Sequence, residues 1–194
     1  MPPGAIWGIL VIIGLIGYAI HMDRQTPAVN PASYAQLLNL IGQVESADNY
    51  NAYFGRADNQ EVEFTNMSVA EVLDWQREFV AAGHASSAVG RYQIMHTTLD
   101  ELVRQFDIDI RQKFDRSMQD RLAIRLLERR GSVKYATKQL TSEQFAANLA
   151  QEWAALPRVV GHKSDASYYA DDGLNTAHTS VADVMKAIAP ISLK

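Results

Sequence analysis

The 194-residue chain contains no cysteine, which excludes a disulfide framework and any thiolate metal site while leaving the redox compartment open. Histidine is sparse. His21, His84, His96, His162 and His178 stand singly, without the spacing of a metal cluster or of a His-based nucleophile system. No metal and no cofactor is therefore expected. Glycine-rich phosphate loops are missing as well: "SSAVGRYQ" has one glycine and no Lys-Ser or Lys-Thr pair after it. Formal net charge is −4, with no long block of one sign, so no nucleic-acid arm and no nucleic-acid partner is predicted. Internal repeats and low-complexity segments are absent too.

What is present is material for a core. With 47% hydrophobic and 21% charged residues, the composition fits one ordinary globular domain preceded by something different. From Gly4 to Ile20 the stretch "GAIWGILVIIGLIGYAI" carries no charge. Its length is at the lower limit for crossing a ~30 Å hydrocarbon core as a helix. Residues 1–22 are read as a transmembrane or signal-anchor segment, 23–30 as a linker with prolines, and 31–194 as the folded domain. A cleaved signal peptide is the rival, with Gly17 and Ala19 as a weak small-x-small site but only "MPP" where a basic region belongs. A buried core helix is the third reading, weakened by four glycines and by apolarity all round.

Beyond the linker, helical signals dominate. Asn30 then Pro31 give an N-cap and a first-position proline, and Tyr34, Leu37, Leu38, Ile41 and Val44 recur at helical spacing. "ADNYNAYFGRADNQEVEFTN" is rich in Asn, Gly and Asp with interleaved aromatics, which predicts a small irregular β-hairpin. Ser68 and Glu71 are spaced as a capping box for a helix carrying Val72, Trp75, Phe79 and Val80 on one side. Further helices are read through "TTLDELVRQFD", from Ser117 through "MQDRLAIRLLERRG", through "SEQFAANLAQEWAAL" up to Pro157, and from about Ser180 to Ala189. The predicted class is α+β, mostly α.

One carboxylate is oddly placed. Glu45 falls beside the apolar stripe of the first helix, near its C-terminus, where negative charge opposes the helix dipole. A surface or end-of-helix glutamate and a functional acid are both open on pattern alone. Two segments about forty residues apart crowd polar groups between apolar ones: "VESADNYNAYFG" and "SSAVGRYQIMHTTL". Glu45-Ser46 followed by Ser86, Ser87, Gly90, Gln93 and "IMHTTL" resembles the lysozyme-like lytic transglycosylases. The likeness is tighter to the phage lambda-type endolysins through "ESADN", Phe64-Thr65, "SAVGRYQ", "QDRLAIRLLERRG" and "WAALP", and "SYYADDGLNTAHTS" resembles the tail of related phage and prophage proteins. It covers roughly residues 34–188. Arg158, just after "WAALP", stands where the family has glycine or a small residue.

The resemblance implies a lysozyme-like fold with Glu45 as the catalytic acid facing a cleft, and peptidoglycan glycan strands as partner and substrate. It implies cleavage of the MurNAc-GlcNAc β-1,4 bond by lytic transglycosylation. Substrate contacts are carried over to Ser46, Ser87, Gly90, Tyr92, Gln93 and Tyr168, with Tyr169 an alternative to Tyr168. Tyr92 and Trp153 read equally well as core. A muramidase using a second carboxylate remains the alternative, with Asp48, Asp58, Glu61 or Glu63 in that role, as does a non-catalytic peptidoglycan-binding or virion module. Asp48 also reads as a turn residue, because Asp-Asn before Tyr is ordinary turn chemistry.

Peptidoglycan lies outside the cytoplasmic membrane, so the enzyme reading places residues 4–20 in the bacterial cytoplasmic membrane as a single pass with the N-terminus inside. The flank "HMDRQ" by itself signs orientation poorly. Fusing residues 1–30 to a reporter that works only in the periplasm should yield reporter activity; a silent reporter overturns the export reading.

Overall fold

The computed structural model describes residues 27–173 and 175–194. The predicted membrane segment lies outside the described residues, and among the described residues no helix is long and apolar enough to cross a membrane. Asn30 accepts a hydrogen bond from the Ala32 N–H and caps a 3₁₀ turn, Pro31–Tyr34, that runs directly into α1, Ala35–Ser46. The two ends of the described chain meet there: Val29 bridges Leu193, with Asn30 N–H donating to Ser192 C=O at 2.9 Å.

Six further α-helices follow. They are α2, Val69–Ala81; α3, His96–Gln105; α4, Arg116–Arg129; α5, Ser132–Ala136; α6, Ser142–Ala150; and α7, Val181–Ile188. The capping box of Ser68 and Glu71 forms as read, and Thr141 with Gln144 makes a second one at α6. Each such cap contributes about 1 kcal/mol by satisfying amides that the first turn leaves unpaired. The apolar faces then set the packing. Leu37, Leu38 and Ile41 of α1 meet Val184, Ala187 and Ile188 of α7, which also packs on α6 through Phe145, Leu149 and Ala150. From α4, Leu122, Ala123, Leu126 and Leu127 complete the core.

Three sequence readings are corrected. Among the described residues there are isolated β-bridges but no strand, so the predicted hairpin at residues 47–66 is an irregular loop with a Tyr53–Arg56 bridge and a 3₁₀ turn, Phe64–Asn66. Asparagine side chains replace a ladder. Asn49 Nδ2 donates to Ala57 and Asn59 carbonyls, Asn59 Oδ1 accepts from Glu61 and Val62 amides, and Asn51 Oδ1 accepts from Thr65 N–H. These bonds satisfy the backbone locally and leave a second strand nothing to pair with. The helix read through "QEWAAL" ends at Ala150, because the Gln151 carbonyl is used by Arg130 Nη2 and the Tyr169 hydroxyl. Val80, placed on the apolar side of α2, is exposed, while Trp75 and Phe79 stack on each other and meet Tyr53 edge-on.

Gln119 on α4 is fully buried and ties three loops together. Its Oε1 accepts the Arg91 N–H at 2.9 Å, and its Nε2 donates to the carbonyls of Tyr50 and Phe114, each at 3.0 Å. Gln119→Ala leaves an amide and two carbonyls without these partners, and each orphaned buried group costs about 1–3 kcal/mol. Urea unfolding should therefore show a loss of roughly 3 kcal/mol or more; a loss below about 1 kcal/mol rejects the tie.

Candidate active site

Glu45 occupies the last turn of α1, one residue before the helix ends and the chain enters left-handed conformation at Ala47 and Asp48. It opens onto a cleft of about 400 Å³. Its lining includes Phe54, Ser86, Ala88, Ile94 and Met95 from the first half of the domain and Glu152, Trp153, Ala154 and Tyr169 from the second. Part of Glu45 stays accessible through the cleft, but its carboxyl is surrounded by protein and receives one polar contact, the Ala155 N–H to Oε1 at 3.1 Å. Burial penalises the charged form, and the single amide offsets little of that, so the pKa is pushed up from 4.5 to about 7. At neutral pH the group can both give and take a proton.

The segment 86–95 contributes to the cleft lining and is held by buried polar side chains. Gln76 of α2, fully buried, donates through Nε2 to the carbonyls of Ser87 at 2.7 Å and Ile94 at 2.8 Å. Ser87 is itself buried, and its hydroxyl accepts the His96 N–H at the start of α3. Gly90 has φ +77° and lies so close to the Gln119 side chain that a Cβ there would strike it. Ser87 and Gly90 thus shape the loop without lining the cleft. Gln93, also left-handed at φ 46°, does line it and donates Nε2 to Gly90 C=O at 2.9 Å.

Tyr92 is both core and cleft: it is buried, lines the cavity, and donates its hydroxyl to Asp120 at 2.7 Å. Burial and the neighbouring Asp120 both push its pKa up, keeping it a neutral donor. Trp153 likewise lines the cleft while its Nε1 donates to Tyr92 C=O. Ser46 is buried behind the acid and shares its hydroxyl proton between the Gly42 and Arg91 carbonyls. Tyr168 is 49% exposed and outside the cleft lining; its neighbour Tyr169 lines the cleft and donates to Gln151 C=O. Arg158 straps the adjoining loop by donating to Ser167 C=O at 3.0 Å.

The candidate second acids do not converge on Glu45. Asp48 is salt-bridged to Arg91 at 2.8 Å, Asp58 is exposed and paired with Arg56, and Glu63 accepts from Asn66. None of them, nor Glu61, lines the cleft. Glu152, which sequence reading passed over, does. Its side chain is 7% exposed and bonded by Arg129 Nη2 at 2.8 Å and Arg130 Nε at 2.7 Å. Its arginines lie more than twenty residues earlier, so no local pattern marked it. Nor could periodicity point to the Ala155 amide, which acts through backbone alone. Among the described residues no cluster suited to a metal ion occurs. A smaller hollow of about 230 Å³ near Phe106 and Arg125 shares no residue with the cleft.

The described residues thus form a mostly helical domain with a carboxyl that meets no cation, Glu45, on the lining of a cleft. The comparison with protein families identifies the kind. The Endolysin family matches residues 35–178, and the chain belongs to it: it is a phage-type, peptidoglycan-degrading enzyme. No curated protein sequence and no solved structure matched.

The raised pKa of Glu45 has a consequence for stability. Folding favours the protonated form, so this contribution is fully present below about pH 4.5 and is lost as pH rises through about 7. The cost of ionising the buried group is roughly 3 kcal/mol. Glu45→Gln, which stays neutral and can still accept from Ala155, should leave stability nearly unchanged at pH 4 and raise it at pH 8 by up to that amount. Equal urea midpoints for the two proteins at pH 8 reject the assignment.

Proposed function

We propose that the protein cleaves the MurNAc-GlcNAc β-1,4 bond of peptidoglycan by lytic transglycosylation, with Glu45 as the single acid and base. The observation that carries this reading is the contrast between the two carboxyl groups of the cleft: Glu152 is bound by two arginines, whereas Glu45 meets only the Ala155 amide. A cation-bound carboxylate is a poor nucleophile and a poor base toward water, which are the tasks a hydrolase gives its second acid. Glu45 alone can serve a reaction that needs no second acid.

Protonated Glu45 gives its proton to the bridging oxygen while the C1–O4 bond breaks, releasing GlcNAc with a free 4-hydroxyl. The carboxylate then takes the proton from the muramyl C6 hydroxyl as O6 closes on C1, which returns Glu45 to its starting form and leaves a 1,6-anhydro end. No water is consumed, and the attack gains from being intramolecular. A pKa near 7 suits both steps, since proton donors and acceptors work best when matched to the operating pH. The apolar walls from Phe54, Met95 and Trp153 offer faces for sugar rings, and Gln93 and Ser86 offer polar groups to their substituents. Because the substrate lies beyond the cytoplasmic membrane, the stretch at residues 4–20 is proposed as the device that carries the domain there.

Purified full-length protein incubated with peptidoglycan should release fragments with anhydro-muramyl ends, lighter by one water than hydrolysis products when read by mass. Reducing muramyl ends overturn transglycosylation in favour of a muramidase, and absence of release favours a binding module. Glu45→Gln should cut turnover by about 10²–10⁴-fold, the span general acid–base groups contribute.

A further inference from the structure

Arg91 is buried beneath the cleft, yet its guanidinium bonds four side chains. Nε and Nη2 donate to Asp48 Oδ1 at 3.0 and 2.8 Å, Nη2 to Asn39 Oδ1 at 2.9 Å, and Nη1 to the hydroxyls of Tyr92 and Tyr50 at 2.8 and 3.2 Å. Both tyrosines in turn donate to Asp120 of α4. Burial alone would weaken the Arg91 charge, but its bond to Asp48 and its polar neighbours more than offset that.

The backbone of the same dipeptide reaches the acid from two sides. Arg91 C=O accepts from Ser46, the residue after Glu45, and Tyr92 C=O accepts from Trp153, two residues before the Ala155 amide that meets Glu45. Both partners of the Glu45–Ala155 hydrogen bond therefore hang from residues 91–92. The turn that ends α1 is costly as well, with Ala47 and Asp48 successively left-handed at φ 51° and 63°; the ion pair holds Asp48 there. Helix α1 makes room for the pair. A Cβ on Gly42 would strike the Arg91 guanidinium and come within 2.7 Å of Asp48 Oδ1.

We propose that Arg91 and Asp48 are positioning residues: their ion pair, crossing α1 over Gly42, clamps the helix end so that the Glu45 carboxyl stays against the Ala155 amide and out of water. The proposal rests on Glu45 being the acid and base of the reaction. The charged and titratable groups around Glu45 are Tyr92, Tyr169 and Glu152 in the cleft, the last with Arg129 and Arg130, and Asp48, Arg91, Tyr50 and Asp120 in the clamp. Histidine is not among them.

The test uses full-length Gly42→Ala, Asp48→Asn and Arg91→Lys. For each, the unfolding midpoint, the peptidoglycan release rate across pH, and the titration of the Glu45 side-chain carboxyl by ¹³C NMR are measured. A loosened helix end admits water, so the Glu45 midpoint and the alkaline limb of the rate profile should both move down by about one pH unit. The neutral rate should fall about tenfold or more through lost alignment. In Gly42→Ala the unfolding midpoint should fall, because alanine's helix preference offsets only part of the loss of a pair whose arginine is buried. Should that variant unfold, Asp48→Asn, which removes the charge with almost no change in shape, carries the same expectation. Unmoved NMR midpoints and rate profiles in all three variants overturn the clamp. So do rates that fall only in step with the folded fraction. Full turnover in Glu45→Gln instead sinks the acid reading, and the NMR midpoint alone then judges the clamp.

Discussion

The hydrogen bond from the Ala155 amide to Glu45 Oε1 joins two segments 110 residues apart in the chain. Each segment can be where it is only because several others are in place. Helix α1 must end in a left-handed turn directly after the glutamate, α6 must stop at Ala150 so that residues 151–156 run past the cleft as turns, and the loop 86–95 must lie beneath both. An amide is a modest donor. It orients the carboxyl without supplying the positive charge that would fix it as a carboxylate, and this lets burial decide the protonation state.

The structure treats the carboxylates that tie its segments together in the opposite way. Asp48, Asp120 and Glu152 all contact arginines or tyrosine hydroxyls, and each sits at a joint between segments: α1 with the 91–92 dipeptide, that dipeptide with α4, and α4 with the turn after α6. Breaking such a pair leaves its partner exposed to the low dielectric without compensation, a larger loss than the pair's own net contribution. These acids therefore serve as fasteners, and Glu45 is set apart by lacking a cation. The chain carries 22 acidic residues, and the cleft lining draws on few of them.

The loop at residues 47–66 illustrates how polar side chains can stand in for secondary structure. Asn49, Asn51 and Asn59 bond backbone groups that a hairpin would have paired, and Tyr53 and Phe64 anchor the loop to Trp75 and Phe79 of α2. Read along the chain, alternating aromatics and turn residues look like strands, because period-two patterning reports which side chains turn inward, not whether a neighbouring strand exists to receive the amides. The overrun of the helix before Pro157 has a related cause. Alanine and leucine at 154–156 favour helix intrinsically, but the Gln151 carbonyl is taken by Arg130 and Tyr169, two partners distant in sequence, and tertiary bonds override a weak local preference.

The ordered motifs by which the chain resembles endolysins are legible along the chain. Local chemistry alone determined the caps at Asn30, Ser68 and Ser180, the apolar stripe of α1 and the position of Glu45 near a helix end. These are properties of residues three or four apart, where spacing and geometry are tied by the helix itself. Tertiary structure decided which carboxyl would have its pKa raised. The pairing of Asp48 with Arg91 across 43 residues, of Glu152 with Arg130 across 22, and of Glu45 with a backbone amide across 110 depends on segments brought together by packing. A carboxyl's charge is set by what surrounds it in space, and the order of residues along the chain does not state those surroundings.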